Sequence, residues 1–256
     1  WQHGEKAGIS QATNGRSNIV KEEKTDAFEI GLKSLLLNNT LVFNIDIFQM
    51  DIKDYQQTGR IKDDYTTENN HRANPNDINT YYTNATINVP EVRAKGIEID
   101  GIYSGIENIS LRFSGAYNDA KYVDFTTSAQ PSENGYASAP PYRDVSGKTL
   151  PGAAKYTFNI GADYRLPVFD NKEFHASFNT LYSSKYNSDV SLSSYGWIPS
   201  RTTTDLGVGI GSIKQTYDFS LIVKNAFDDD TPQAETWNNY NPAVSRWVAL
   251  NFSGKF

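Results

Sequence analysis

The sequence predicts an all-β fold, an antiparallel transmembrane β-barrel, and three observations lead to this class. Runs of about ten residues alternate apolar and polar side chains, most clearly YTFNIGADYRL at 156–166. The connections between runs are alternately short and long, and the chain stops on Phe256. Successive side chains of a strand point to opposite faces, so each run has an apolar and a polar face. One face suits lipid and the other suits water or protein.

The composition of the 256 residues agrees with this class. Aromatic residues make up 13%, including 16 Tyr and 13 Phe, and strands and membrane interfaces both favour them. The mean hydropathy of -0.57 is compatible with a barrel, because only every second strand residue meets lipid. No apolar run is long enough for a membrane-spanning helix. The absence of Cys excludes disulfides and thiolate chemistry, and a net charge of -6 without a basic stripe argues against nucleic acid.

Nine strands are predicted, near 25–35, 40–53, 92–104, 108–121, 153–166, 173–186, 201–212, 216–226 and 245–256. Short connections at 36–39, 105–107, 167–172 and 213–215 are expected on the periplasmic side. Long ones at 54–91, 122–152, 187–200 and 227–244 are expected outside. The polar residues 1–24 are predicted to be an extracellular loop segment, and residues 25–256 the C-terminal portion of the barrel. Nine strands cannot close a bacterial barrel, and the N-terminus is no signal peptide, so a mature, truncated chain with strands missing upstream is expected.

Several segments carry a family resemblance through their order and spacing. They are KEEKTDAFEIGLK at 21–33, AKGIEID at 94–100, LRFSGAYNDA at 111–120, LPGAAKY at 150–156, VKNAFD at 223–228 and RWVALNFSGKF at 246–256. Together they resemble the C-terminal part of the barrel of TonB-dependent outer-membrane receptors, with Ala154 where that family usually has Pro. The likeness covers about residues 20–256.

The resemblance implies the last nine strands of a 22-stranded barrel in the outer membrane of a Gram-negative bacterium. It implies active uptake of a large scarce nutrient, with a ferric siderophore first and an oligosaccharide, cobalamin or another large nutrient as the alternative. The implied partners are outer-membrane lipid, an N-terminal plug domain with the upstream strands, and the TonB complex acting through the plug. No plug or TonB box is found in this sequence, and no cofactor is expected.

Polar residues on the predicted inner face are candidates for contacts with a plug or a transport path. These lumen-facing residues are Glu29, Lys33, Asn44, Asp46, Glu98, Asp100, Arg112, Asp163, Arg165, Gly207, Gly209 and Gly211. The alternative is that they are only the wetted inner wall, since alternation alone requires polar side chains there. The G-x-G-x-G run lies inside one strand, which excludes a dinucleotide fingerprint and predicts either room for a plug or substrate, or a steric role in sheet curvature.

Aromatic, polar-flanked clusters at the predicted loop tips are the candidate ligand-binding groups. They are Tyr81, Tyr82, Tyr136, Arg143, Tyr195, Trp197, Trp237 and Tyr240, with Arg72 and Arg201 as further candidates for an anionic ligand. Flat aromatic faces suit sugar rings, catecholates or corrinoids. The alternative is an interface girdle or ordinary loop packing.

No catalytic arrangement is recognisable in the sequence, so a binding function is predicted rather than an enzyme. Asp63-Asp64 and Asp228-Asp229-Asp230 lack the spacing of a calcium loop, and three scattered His form no zinc pattern. Two rival classes remain. A passive porin-type barrel would share the wall pattern but conduct ions spontaneously, and a soluble all-β module would stay soluble without detergent.

Overall fold

A computed structural model describes residues 1–13, 16–134 and 141–255. The strands are β1 (Gln2–Lys6), β2 (Ile9–Thr13), β3 (Arg16–Val20), β4 (Glu23–Leu36), β5 (Leu41–Lys62), β6 (Tyr82–Ile106), β7 (Ile109–Asp124), β8 (Ser128–Ala129), β9 (Tyr142–Arg143), β10 (Tyr156–Val168), β11 (Lys172–Ser183), β12 (Tyr186–Asn187), β13 (Trp197–Ile198), β14 (Arg201–Ser212), β15 (Tyr217–Lys224), β16 (Ala234–Thr236), β17 (Asn239–Asn241) and β18 (Trp247–Gly254). One α-helix, α1 (Asp64–Ala73), and two short 3-10 turns complete the described elements. None of the described helices is both long and apolar enough to cross a bilayer.

Ten strands form one antiparallel sheet in the order β1-β4-β5-β6-β7-β10-β11-β14-β15-β18. Each long strand pairs with its neighbour along the chain, which is the meander expected of a barrel wall. The all-β class and the nine predicted strands are therefore confirmed, and β1 adds a tenth. In the described residues the sheet ends at β1 and β18, which do not pair with each other, so the barrel is open.

Two expectations about the connections differ from the structure. Within residues 1–24, where the sequence predicted a loop, β1 pairs with β4 and β2 forms a hairpin with β3. The expected loop 54–91 is mostly strand, because β5 and β6 continue as a paired hairpin to Lys62 and Tyr82. The β5–β6 extension lacks the apolar alternation of lipid-facing strands, because loop residues such as Phe125 and Val145 pack on its apolar side chains.

The connections separate by length to opposite ends of the sheet. Short turns at 37–40, 107–108, 169–171 and 213–216 lie at one end, and the connections 63–81, 125–155, 184–200 and 225–246 lie at the other. Left-handed backbone at Asn38, Asn39 and Asn108 closes the first two turns, a conformation that Asn tolerates better than most residues. This arrangement agrees with the alternation predicted from the sequence.

The two faces of strands β4 to β7 exchange polarity partway along their length. In the half near the short turns, one face carries Ile30, Ile47 and Ile97 as cross-strand neighbours. Closer to the long loops, the same face carries charged residues on all four strands: Lys24, Asp26, Asp51, Lys53, Arg93, Lys95, Asp119 and Lys121. The opposite face changes in the reverse sense, from Glu98 and Asp100 to Val92, Tyr122 and Ile52. Each strand thus has two segments with opposite orientations of its apolar side.

A hydrophobic core lies where the long loops fold over this second segment. Val89, Val92, Tyr122, Phe125 and Val145 are buried together, with Ile52, Tyr55, Ile87, Leu150 and Leu192 packed against them. Near the short turns the apolar side chains instead face outward, and Ile30 is 74% exposed in the isolated chain. Such a band of exposed aliphatic side chains is what a lipid-facing wall presents. We call the loops and the strand ends that they cover the loop end of the molecule.

Candidate functional site

The register places all the predicted lumen-facing residues on one face of the sheet, opposite the aliphatic band. Asp46 pairs with Glu98, Asn44 with Asp100, and Gly207 with Ser177. Arg112 pairs with Gly161, and Asp163 lies on the same face two residues further along β10. We call this surface the polar face. Contacts with a plug or a substrate remain a prediction.

Charges on β7 to β15 of the polar face are mostly compensated by cross-strand partners. Arg112 forms an ion pair with Asp163. Arg165 Nη1 lies 2.6 Å from Glu173 Oε1, and His175 Nε2 lies 2.6 Å from Asp218 Oδ2. The first two pairs join neighbouring strands, and the His175–Asp218 pair spans β14 from β11 to β15, so the pairs form a ladder across the wall.

Charges on β5 and β6 of the polar face lack such partners. Asp46 and Glu98 are directly opposite each other, and Asp100 accepts a hydrogen bond from Asn44 Nδ2 at 3.0 Å. Among the described residues, no ion pair neutralises Asp46, Glu98 or Asp100. Like charges opposite each other are unfavourable in a sheet, so this part of the wall has an excess of negative potential.

The glycine run of β14 makes room for side chains of its own sheet. A Cβ at Gly209 would lie 2.5 Å from His175 Cε1 and 2.6 Å from the Phe219 carbonyl oxygen. A Cβ at Gly211 would lie 2.7 Å from Asp218 Oδ2. The space above the glycines is therefore taken by the His175–Asp218 pair, a close-approach role for glycine that the sequence analysis did not consider.

Two charged side chains at the loop end tie together the connections 125–155 and 184–200. Glu133 Oε1 accepts hydrogen bonds from Ser193 Oγ at 2.9 Å and from the Ser194 backbone N–H at 2.8 Å. Arg143 Nη2 donates to the carbonyl oxygens of Ser191 and Leu192 at 2.6 and 3.0 Å. Both side chains hydrogen-bond to residues 191–194, so the two loops form one unit.

Burial acts to raise the pKa of Glu133, but its hydrogen bonds favour the ionised form more strongly. The backbone N–H groups of Glu133 and Ser194 and the hydroxyls of Ser193 and Ser194 bring the net pKa below the ordinary glutamate value. Glu133 is therefore a carboxylate at neutral pH. Its other oxygen, Oε2, is buried without a hydrogen-bond partner among the described residues.

The loop end also contains a polar cavity of about 280 Å³. Its walls come from the tip of the β5–β6 hairpin, from 125–132, from 189–191 and from the turn between β16 and β17. Trp237 lines it together with Arg60, Asp189 and the amides Gln57 and Asn84. An aromatic ring beside several amides and one charge of each sign suits a polar ligand with both donors and acceptors.

A second cleft, of about 570 Å³, separates residues 143–156 from residues 184–197. Arg143, Lys148, Lys155 and Lys185 line it, and Asp144 is the only carboxylate among its lining residues. Tyr156 and Trp197 provide aromatic surface there. This cleft is thus cationic in a chain whose net charge is -6.

The structure distributes the predicted ligand-binding residues over the loop end without gathering them. Trp237 lines the polar cavity, whereas Arg143 and Trp197 line the cationic cleft. Tyr81 Oη donates to Asp77 at 2.8 Å, and Tyr82 packs edge-on against Tyr142. Tyr195 and Tyr240 are exposed, and Tyr136 lies outside the described residues. A role for any of them in binding remains a prediction.

The sequence analysis missed Gln57, Arg60, Asn84 and Asp189, because nothing in their local sequence distinguishes them and only the fold brings them to one cavity. It also missed Lys148, Lys155 and Lys185, which are isolated in sequence and meet only through loop packing. No described group of three His, Asp or Glu side chains has an arrangement that would hold a metal ion.

The open antiparallel wall, its aliphatic outer band and its folded loop end define the class of protein, a transmembrane β-barrel. Residues 4–226 match the family model described as TonB dependent receptor-like, beta-barrel. The chain therefore belongs to the TonB-dependent receptor family, represented here by part of its barrel domain.

Solved structures similar to the chain agree with this assignment at the level of the fold. The ferric yersiniabactin uptake receptor FyuA from Yersinia pestis matches 98% of the chain with a TM-score of 0.70 and 14% identity. The ferric preacinetobactin receptor BauA from Acinetobacter baumannii matches 98% with a TM-score of 0.62 and 18% identity. The siderophore receptor PiuA from the same species matches 94% with a TM-score of 0.63 and 19% identity. The chain covers 33%, 32% and 29% of these proteins, about a third of their length.

Proposed function

We propose that this chain is the C-terminal part of the barrel of an outer-membrane active transporter that takes up a ferric siderophore. Its membership of the TonB-dependent receptor family is the observation that carries the proposal. The similar structures include receptors for ferric yersiniabactin and ferric preacinetobactin. The function is binding and gated passage, without a chemical step performed by the protein.

The loop end is the part that we assign to ligand capture. The ties made by Glu133 and Arg143 hold its loops together, and the polar cavity beside Trp237 offers a ring and several hydrogen-bonding groups. Preorganised loops bind with a smaller loss of conformational entropy than free ones. The polar face is assigned to contact with a plug domain, whose movement by the TonB complex would open the path.

Uptake of iron by a strain that depends on this protein tests the proposal. A bacterium lacking its other siderophore receptors, and expressing the full-length protein, is given single ⁵⁵Fe-labelled siderophores with and without a functional TonB. Uptake of at least one ferric siderophore that disappears without TonB is expected. Saturable uptake of an oligosaccharide or cobalamin, but of no ferric siderophore, would show that the proposed cargo is wrong. Ion conductance in planar bilayers without TonB would favour a passive porin.

Two single variants address the assignment of the loop end. Trp237→Ala removes the ring from the polar cavity, and we expect about a tenfold weaker ligand affinity, within the range measured for aromatic anchors. Tyr65→Ala is the matched control, because Tyr65 on α1 is 56% exposed, does not line that cavity and is not one of the predicted ligand-binding residues. Equal affinities of the two variants would place ligand capture elsewhere.

A further inference from the structure

The cationic cleft has more positive charge than its surroundings can neutralise. Four basic side chains line it against the single carboxylate of Asp144. The lysine ion pairs of the described residues involve Lys21, Lys24, Lys62, Lys121 and Lys224. Lys148, Lys155 and Lys185 are absent from that set, so they have no carboxylate partner within the described chain.

Aromatic rings, rather than carboxylates, position two of these lysines. Lys155 Nζ lies 5.6 Å from the centroid of the Tyr117 ring and 6.0 Å from that of Tyr156. Lys185 Nζ lies 5.6 Å from the centroid of the Trp197 ring. A cation–π contact orients an ammonium group without placing a carboxylate beside it, so both lysines are available to an anion.

The cleft lies beside the level at which the outer surface changes from apolar to charged. Tyr117 and Tyr156 are register partners on the aliphatic face, in the same cross-strand row as Ile97. The next row towards the loops contains Lys95 and Asp119. In membrane proteins, aromatic rings occupy the headgroup level, and lysines with apolar stems extend from there to anionic lipid.

We propose that the cationic cleft binds the phosphorylated headgroup of a lipid in the outer leaflet, with Lys155 and Lys185 as the main phosphate contacts. Lipid fits better than a soluble anion because Tyr156, on the lipid-facing side, forms part of the cleft, and Leu150 and Leu192 give it an apolar wall. The proposal rests on the membrane placement given under Proposed function, but not on the identity of the cargo.

Native mass spectrometry of the full-length protein in detergent tests this assignment. The probe is a bis-phosphorylated, acylated glucosamine disaccharide, compared with its dephosphorylated form and with the phosphorylated disaccharide without acyl chains. We expect the phosphorylated lipid to bind, and each Lys→Gln change to weaken binding by about fivefold, the effect of one cation at an anionic surface. Lys155→Gln with Lys185→Gln should therefore give about a 25-fold loss if the two effects add.

Lys172→Gln is the matched control, because Lys172 Nζ lies 5.9 Å from the Phe169 ring centroid at the opposite end of the sheet. This variant should bind the lipid as the parent protein does. The proposal is overturned if the double variant binds normally, or if the dephosphorylated lipid binds equally well. It is also overturned if the soluble disaccharide binds as tightly as the lipid and the transported ligand displaces it, since the cleft would then belong to cargo capture. Uptake that fails while lipid binding persists would refute the proposed cargo alone.

Discussion

Strands β5, β6 and β7 pass through two regions, and their apolar side chains point in opposite directions in each. Near the short turns, apolar residues such as Ile47 and Ile97 face outward, and Asp46 and Glu98 face the other way. At the loop end, Arg93 and Lys121 face outward, and Val92 and Tyr122 are buried on the other face. The backbone ladder continues through both regions, with irregular register at Glu91/Val92.

This difference shows that two kinds of environment stabilise one continuous sheet. The loop end obeys the rule for soluble proteins, with a buried core and charges outside. The wall reverses that rule, and its outward aliphatic side chains need lipid to remove them from water. The exchange of polarity therefore marks where the proposed bilayer ends, more sharply than the strand boundaries do.

Truncation of Tyr122 should give the largest effect and should act on the loop end alone. Tyr122→Ala removes a ring that is 1% exposed and also the hydrogen bond from its hydroxyl to Gln57 Oε1. We expect the loop end to lose about 3–5 kcal/mol, as for other large-to-small core changes. Hydrogen exchange should become faster in β6 and β7 near Val92 and Tyr122, and remain unchanged in β14 and β15.

Tyr122→Phe, which removes only the hydroxyl, is the control and should cost about 1 kcal/mol. A uniform loss of protection would show that the loop end is not a separate unit.

A charge placed in the middle of the aliphatic band should give the next largest effect. Ile160 is 54% exposed and lies between Phe158 and Ala162 on the outward face. Ile160→Lys should destabilise the protein by about 2–4 kcal/mol in a bilayer, as lysine does near the midplane of other barrels. The measurement is urea unfolding of the full-length protein in vesicles. Thr157→Lys, on the polar face of the same strand, is the control and should cost little. Equal costs for both would mean that the aliphatic band does not face lipid.

The wall could be predicted from the sequence because its pattern is local. Alternation within 156–166, or within 201–212, is set by the two-residue period of a strand and needs no distant contact. The strand extensions at 55–62 and 82–91 could not be predicted in this way. The side chains that cover these extensions, such as Phe125 and Val145, lie far along the chain. The extensions themselves therefore show no lipid-facing pattern in the sequence.

The polar face was predictable for the same local reason, whereas the loop-end sites were not. The alternation of side chains along each strand is enough to place Asp46, Glu98 and Arg112 on the same face of the sheet. The cationic cleft instead joins Lys148 and Lys155 to Lys185, from two separate connections, and only their packing brings them together. Aromatic residues at loop tips gave a visible signal, but the groups beside Trp237 in the polar cavity, such as Asn84 and Asp189, gave none.

A methyl group added to the glycine run should have a smaller effect, confined to the paired side of the polar face. In Gly209→Ala the new Cβ would meet His175 Cε1 at 2.5 Å and the Phe219 carbonyl at 2.6 Å, so backbone must shift. A loss of about 1–3 kcal/mol in the free energy of unfolding is expected, as for other overpacked sites, measured by denaturant unfolding.

Combining Gly209→Ala with His175→Ala should recover only part of that loss, because the Phe219 carbonyl remains. Gly4→Ala, where nothing lies within 4 Å, is the control. A neutral Gly209→Ala would mean that the run has no steric role.

The smallest effect should come from the Glu133 carboxylate and should depend on pH. Because hydrogen bonds lower the pKa of Glu133 in the folded loop end, its ionised form stabilises the tie to Ser193 and Ser194. That contribution should be complete above the unfolded glutamate pKa of about 4.3 and should disappear as the pH falls through the lower folded value.

Hydrogen exchange of residues 184–200 between pH 7 and pH 3, corrected for intrinsic rates, measures this contribution. Glu133→Gln should remove most of the pH dependence and cost about 1 kcal/mol of local protection at pH 7, since it replaces charged hydrogen bonds by neutral ones. Glu68→Gln, on the exposed surface of α1, is the control and should leave the profile unchanged. If the Gln variant keeps the pH dependence of the parent protein, another carboxylate near these loops is responsible, and the ionisation of Glu133 does not stabilise the tie.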